Sequence, residues 1–195
     1  MPQHEDLARI RELMADAQRV VQDNGVYFIG WGVVTVIGLA VTYAVLSQGL
    51  PATVIWGTWG ALVALGWLLT AVQARRRSAR APVTTLAGRL VGELWGGIGL
   101  AITVTVFGGG LAGAIPGQAI PGVVSALAGA AFFSSASLYP LLPLRLLAAG
   151  WWVGALAMFV WPGAYTLLLM AALVLLLQIA PGVVLWRRAS RAPGV

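Results

Sequence analysis

Cysteine is absent, and histidine occurs once, as His4 ahead of the first apolar run. Without thiols there can be no disulfides, thiolate nucleophiles, iron–sulfur clusters or cysteine-bound zinc. No imidazole lies within an apolar segment to hold haem or a metal, or to serve a serine nucleophile. Carboxylates are nearly as scarce: five of the six acidic residues fall at or before Asp23, which leaves Glu93 alone in the rest of the chain. One Glu cannot build the multi-carboxylate metal sites of lipid-headgroup transferases, and no later Asp could serve an intramembrane aspartyl protease. No HExxH segment, phosphate loop ending in Lys-Ser or Lys-Thr, or potassium filter is present. Lysine is missing altogether, so all twelve basic residues are Arg. These absences predict a non-enzymatic protein with no cofactor and no metal.

Charged residues make up only 9% of the 195, against about 25% in a soluble domain. Apolar residues make up 59%, and the mean hydropathy is +0.88. Such a chain belongs in a bilayer. Apolar runs bounded by charge, Pro or Gly extend over Val26 to Leu46, Ala52 to Val72, Leu90 to Gly110, Ala119 to Tyr139, Leu141 to Trp161 and Ala164 to Trp186. Each has about the 20 residues that one helix needs to cross the hydrocarbon core. None shows the period-two alternation of an outer-membrane barrel. The expected fold is an all-α polytopic bundle of six transmembrane helices over residues 26–186, between an amphipathic cytoplasmic helix at 1–25 and a basic cytoplasmic tail at 187–195.

The net charge of +6 would favour nucleic acid in a soluble protein, but here the Arg residues fall at the ends of apolar segments, so no nucleic-acid partner is expected. Arg9, Arg11 and Arg19 precede the first span. Arg75, Arg76, Arg77, Arg80 and Arg89 surround the second connection, Arg145 follows the fourth span, and Arg187, Arg188 and Arg191 follow the sixth. The other three connections, around Gln48, Gln118 and Pro162, carry no charge. Basic residues mark the cytoplasmic side, so both termini are expected there. The acidic first 25 residues do not read as a cleavable signal peptide, and the first span is expected to act as an anchor. Arg in place of Lys, with abundant Ala, Gly and Val, suits a GC-rich bacterial genome and a multi-pass protein of the inner membrane. Trp161 and Tyr165 fall at the outer boundary and Tyr139 and Trp186 at the inner one. Trp31, Trp67, Trp95, Trp151 and Trp152 lie deeper, as packing residues or as the lining of a lipid or ligand cavity.

Within residues 2–24, Leu7, Ile10, Met14, Ala17 and Val21 share one face of a helix, and Asn24-Gly25 is a natural stop. Three Arg against five acidic residues give this segment a balance of −2, unlike the basic helices that bind anionic lipid. Packing under the bundle or on a second copy is favoured over an interfacial or coiled-coil role. The run Asp6-Leu7-Ala8-Arg9-Ile10-Arg11-Glu12-Leu13-Met14, followed by a Gly-rich span, resembles the opening of a group of small uncharacterised bacterial six-span membrane proteins. In that group a D-L-x-x-I-R-x-x-M segment precedes the spans, and the genes often lie beside a winged-helix regulator. Asp23-Asn24-Gly25-Val26-Tyr27 departs from the group's Ser-rich entry. The resemblance implies architecture, since the group has no established activity.

Helices in lipid associate through small residues that allow close backbone approach. Gly88, Gly92 and Gly96 in the third span, Gly150 and Gly154 in the fifth, and the stripe Gly122, Ala126, Ala130 and Ser134 in the fourth are the candidate packing surfaces. They would serve either within one bundle or between copies. Ile37-Gly38-Leu39-Ala40-Val41-Thr42 and Ile98-Gly99-Leu100-Ala101-Ile102-Thr103 are near copies 61 residues apart, with a looser echo at Val153 to Ala157, which raises a tandem hairpin repeat. Glu93 is the one intramembrane carboxylate, with Arg89 four residues before it and Arg145 near the start of the fifth span as candidate ion-pair partners. Gln178 reads as polar glue, and Pro181 predicts a kink. The function expected is that of a non-enzymatic interaction or regulatory protein in the lipid bilayer, as a homo-oligomer or with a cytoplasmic protein partner. The alternative is a small proton- or cation-coupled transporter using Glu93.

Overall fold

The structure, a computed structural model, describes residues 25–80, 86–138 and 142–191, so the amphipathic segment at 2–24 and Tyr139 lie outside the described residues. All regular structure among these residues is helical: α1 (Gly25–Ser47), α2 (Ala52–Arg80), α3 (Leu86–Thr103), α4 (Ile120–Leu138), α5 (Leu142–Val160), α6 (Tyr165–Val174) and α7 (Ala180–Arg191). α3 runs on into a π-helical turn at Val104–Gly109, and a second π turn at Leu175–Ile179 joins α6 to α7 as one sixth span. Six of the resulting segments are long and apolar enough to cross a membrane, as the sequence predicts. Peptide groups placed in hydrocarbon must be paired within the protein, and here they are paired within each helix. The protein is a multi-pass, all-α membrane bundle.

The ends differ from the expected boundaries in one consistent way. α2 continues past Val72 to Arg80, α3 starts before Leu90, and α7 continues past Trp186 to Arg191, so the Arg clusters ride on helical extensions. Arg and Ala are good helix formers, which suits these segments to continue the helices. The tight turn after α1 places Gly49 at φ +65°, where a side chain would be strained, and the Leu50 N–H donates to the Val45 carbonyl at 3.0 Å. Pro181 has no N–H to give, and the irregularity it predicts takes the form of the π turn ahead of it.

Half of the fourth span is buried, against 6% of the second and of the third, so α4 is the centre of the bundle and α2 and α3 lie at its edge. α4 packs most extensively on α5: Phe159 lies over Gly122, and Trp152 lies over Gly129 and donates its N–H to the Ala126 carbonyl at 3.1 Å. The four-spaced stripe expected on α4 is therefore displaced. Gly122 is buried, but Ala126, Ala130 and Ser134 are only half-buried, and the buried row runs Ser125, Gly129, Phe132, Ala136. Helical spacing alternates three and four, so a strict step of four drifts off the contact face. α1 meets the sixth span through glycines. A Cβ on Gly25 would stand 2.7 Å from the Gly182 carbonyl oxygen and 2.8 Å from the Trp186 nitrogen, while Ile179 fills the space above Gly32.

Candidate functional site

Glu93 pairs with Arg89. The Arg89 Nε lies 3.6 Å from Glu93 Oε1 across one turn of α3, and the two side chains are 66% and 67% exposed. Arg145 is exposed on α5 and, among the described residues, forms no ion pair with Glu93. The reason lies in how α3 is turned. Val91 is buried and Trp95 packs on α4, and at about 100° per residue Glu93 falls about 200° from Val91, on the opposite side of the helix. Arg89, Gly96 and Leu100 fall on that same outward side. Among the described residues, nothing supplies the packing expected of Gly92 and Gly96: a Cβ on either would meet no atom of theirs within 4 Å. Gly150 and Gly154 are placed differently, with Leu177 at 2.9 Å and Leu173 at 2.3 Å from their built Cβ positions. They seat the sixth span on α5.

Five spans converge on an aromatic centre. Phe28 of α1 stands 5.1 Å from Trp95 of α3 and 5.5 Å from Phe132 of α4, with Trp95 edge-on to Phe132 at 5.2 Å and Trp151 of α5 stacked beyond it at 6.4 Å. The sixth span joins through Gln178, whose amide donates to the Phe28 carbonyl at 3.3 Å. This makes Gln178 the polar tie that the sequence suggests. Trp151 is 1% exposed, and among the described residues its N–H has no acceptor. Ser125 donates to the Trp151 carbonyl at 2.7 Å.

A recurring contact holds the edge helices to one another and to the centre. On α1, Gly38 makes room for the ring of Trp59, whose N–H donates to Thr42 Oγ1 at 3.0 Å, while Thr42 donates back to the Gly38 carbonyl at 2.8 Å. On α2, Gly66 and Thr70 receive Trp31 in the same manner, at 3.0 Å. On α3, Gly99 and Thr103 receive Trp67 at 3.4 Å. Ala131 and Ser135 of α4 form the corresponding pair for Trp95, at 3.1 Å. Each socket is a small residue followed four positions later by a hydroxyl; in the three glycine sockets the ring lies over the first, and in all four the N–H reaches the second one turn on. The two near-copies ending in Thr42 and Thr103 are thus two sockets for tryptophans of α2. Trp59, Thr42, Thr70 and Thr103 are missed when the sequence is searched for titratable groups; the G-x-x-x-T spacing is the signal that finds them.

Among the described residues, no group of three or more His, Asp or Glu is placed to hold a metal. The exposed ionic face of α3 and the aromatic centre behind it are the two features that a membrane bundle of this class could use. The chain matches no protein family, no curated protein and no solved structure with which it was compared.

Proposed function

We propose that this protein is a non-enzymatic component of a bacterial inner membrane, with both termini in the cytoplasm, that works by holding a protein partner against its third span. The observation that carries the reading is the outward side of α3, where Glu93 and Arg89 lie exposed beside the open positions of Gly92 and Gly96. Many of the other exposed positions carry large apolar side chains such as Leu156, Leu168 and Leu176, which suit acyl chains, and the open glycines Gly30, Gly57 and Gly60 have no ion pair beside them among the described residues. A face of glycines carrying an ion pair suits lipid poorly and lets another backbone come close. The partner is a second copy of this chain or a protein reaching the Arg-rich end. The resemblance of residues 6–14 to the small bacterial six-span group supports the bacterial assignment, and the Arg distribution supports the orientation.

The competing reading is a proton- or cation-coupled transporter using Glu93. A coupling carboxylate works inside the bundle, between two access states, whereas Glu93 faces away from the packed centre and is paired within its own helix. Purification from native membranes, together with flux assays in vesicles, separates the two. The interaction reading expects a stoichiometric protein partner that is lost or weakened in Glu93→Gln, with no proton movement in the parent. Proton-linked flux abolished by Glu93→Gln, with no partner recovered, would establish the transporter instead. Because both side chains are exposed, Glu93→Gln should change thermal stability by less than about 1 kcal/mol.

A further inference from the structure

The outward side of α3 carries a ridge between two furrows. Arg89, Glu93 and Leu100 are exposed and, at about 100° per residue, fall within about 40° of one another around the helix. Gly92 and Gly96 flank this line on one side, and Gly97 and the exposed Ala101 flank it on the other. Among the described residues, no atom lies within 4 Å of a Cβ built on Gly92, Gly96 or Gly97. By contrast, Gly32, Gly38, Gly122 and Gly129 each lie under a side chain of another span. Arg89 and Glu93 place one positive and one negative charge on the ridge, 3.6 Å apart, so the face is polar along its length yet neutral as a whole.

We propose that this face binds a second copy of the chain, α3 against α3, about a two-fold axis along the membrane normal. The proposal rests on the interaction reading above and names its partner. Copies of one chain insert in the same direction, so the two α3 helices run parallel. A two-fold contact needs a surface that matches itself, and a ridge beside a furrow of glycines does so: the ridge of each copy enters the furrow of the other, and the backbones come close. The charges match in the same way. Arg89 of one copy stands one helical turn from the level of Glu93 of the other, the offset that the Arg89 side chain already spans within its own helix. A guanidinium has five N–H donors, enough to bridge both carboxylates. A partner of another sequence would have to present the opposite charges in the matching order, whereas a second copy has them already.

The absence of native cysteine makes the test direct. In native membranes, full-length chains carrying Gly96→Cys should form an oxidative cross-link of twice the chain mass, and chains carrying Leu168→Cys, exposed on the sixth span, should not. Gly92→Leu added to Gly96→Cys places a side chain in open space, so it should fold normally, as read from tryptophan fluorescence, and abolish the cross-link. Gly57→Leu, at an open position on α2, should leave the cross-link intact. Glu93→Arg and Arg89→Glu should each lower cross-linking about fivefold when present in both copies. Co-expression of a chain carrying Glu93→Arg with one carrying Arg89→Glu, told apart by their tags, should restore cross-linking between unlike chains, since each then offers only charges opposite to the other's. Cross-linking unaffected by the single reversals, or not restored in the mixed pair, would overturn the proposal. A photoreactive residue at Gly96 separates its failure from that of the reading beneath it: an adduct with a different protein would keep α3 as a docking face and reject the second copy, and lipid adducts alone would reject both.

Discussion

Replacing Thr42 or Thr70 with valine keeps the shape of the side chain and removes the oxygen that accepts the N–H of Trp59 or Trp31. An indole N–H left without an acceptor in an apolar setting costs more than a lost surface contact, and hydrogen bonds between membrane helices average about 0.6 kcal/mol and reach about 1.7. Thr42→Val and Thr70→Val should each destabilise the bundle by about 1 kcal/mol, read from unfolding in mixed micelles. Thr53→Val, at an exposed position on α2, should change it by less than about 0.5 kcal/mol. Equal effects at all three positions would show that the sockets contribute nothing specific. At this scale the sequence was legible in part. Glu93 stood out because it is the only carboxylate after Asp23, but its partner was ambiguous, since sequence spacing offers Arg89 and a folded bundle could also offer Arg145. The choice follows from the rotation of α3, which Val91 and Trp95 set through contacts with other helices.

Helix ends and helix faces were legible to different degrees. The spans follow directly from apolar length, because a bilayer leaves a long apolar segment few alternatives to a helix. Which glycines make contact does not follow from spacing. Gly92 and Gly96 have the same four-residue step as Gly150 and Gly154, yet the first pair is open and the second lies under Leu177 and Leu173. The backbone-to-backbone contact of Gly25 with Gly182 joins opposite ends of the described chain and has no local signature. Gly25→Ala forces a methyl group against backbone atoms and should cost about 1–3 kcal/mol, whereas Gly154→Ala meets only the movable end of Leu173 and should cost less. Thermal midpoints of the two variants in one detergent check the order. If Gly154→Ala proves the more damaging, the packing of α1 on the sixth span is not as described.

At the scale of the whole molecule, antiparallel neighbours bring Arg75, Arg76, Arg89, Arg145 and Arg187 to one end of the bundle. A periplasmic-active reporter should therefore be active after Gln48 or Gln118 and inactive after Arg80 or Val195. Activity at Val195 would refute the proposed orientation. The centre of this bundle is closed by Phe28, Trp95, Phe132 and Trp151, and the proposed function places the partner on the exposed ion pair of α3, the one pair of opposite charges among the described residues. A photoreactive residue placed at Gly92 or Gly96 in the native membrane tests that directly, with Leu168 on the sixth span as the lipid-facing comparison. The interaction reading predicts a discrete protein adduct from Gly92 or Gly96 and only lipid adducts from Leu168. Lipid adducts alone from all three positions would contradict it.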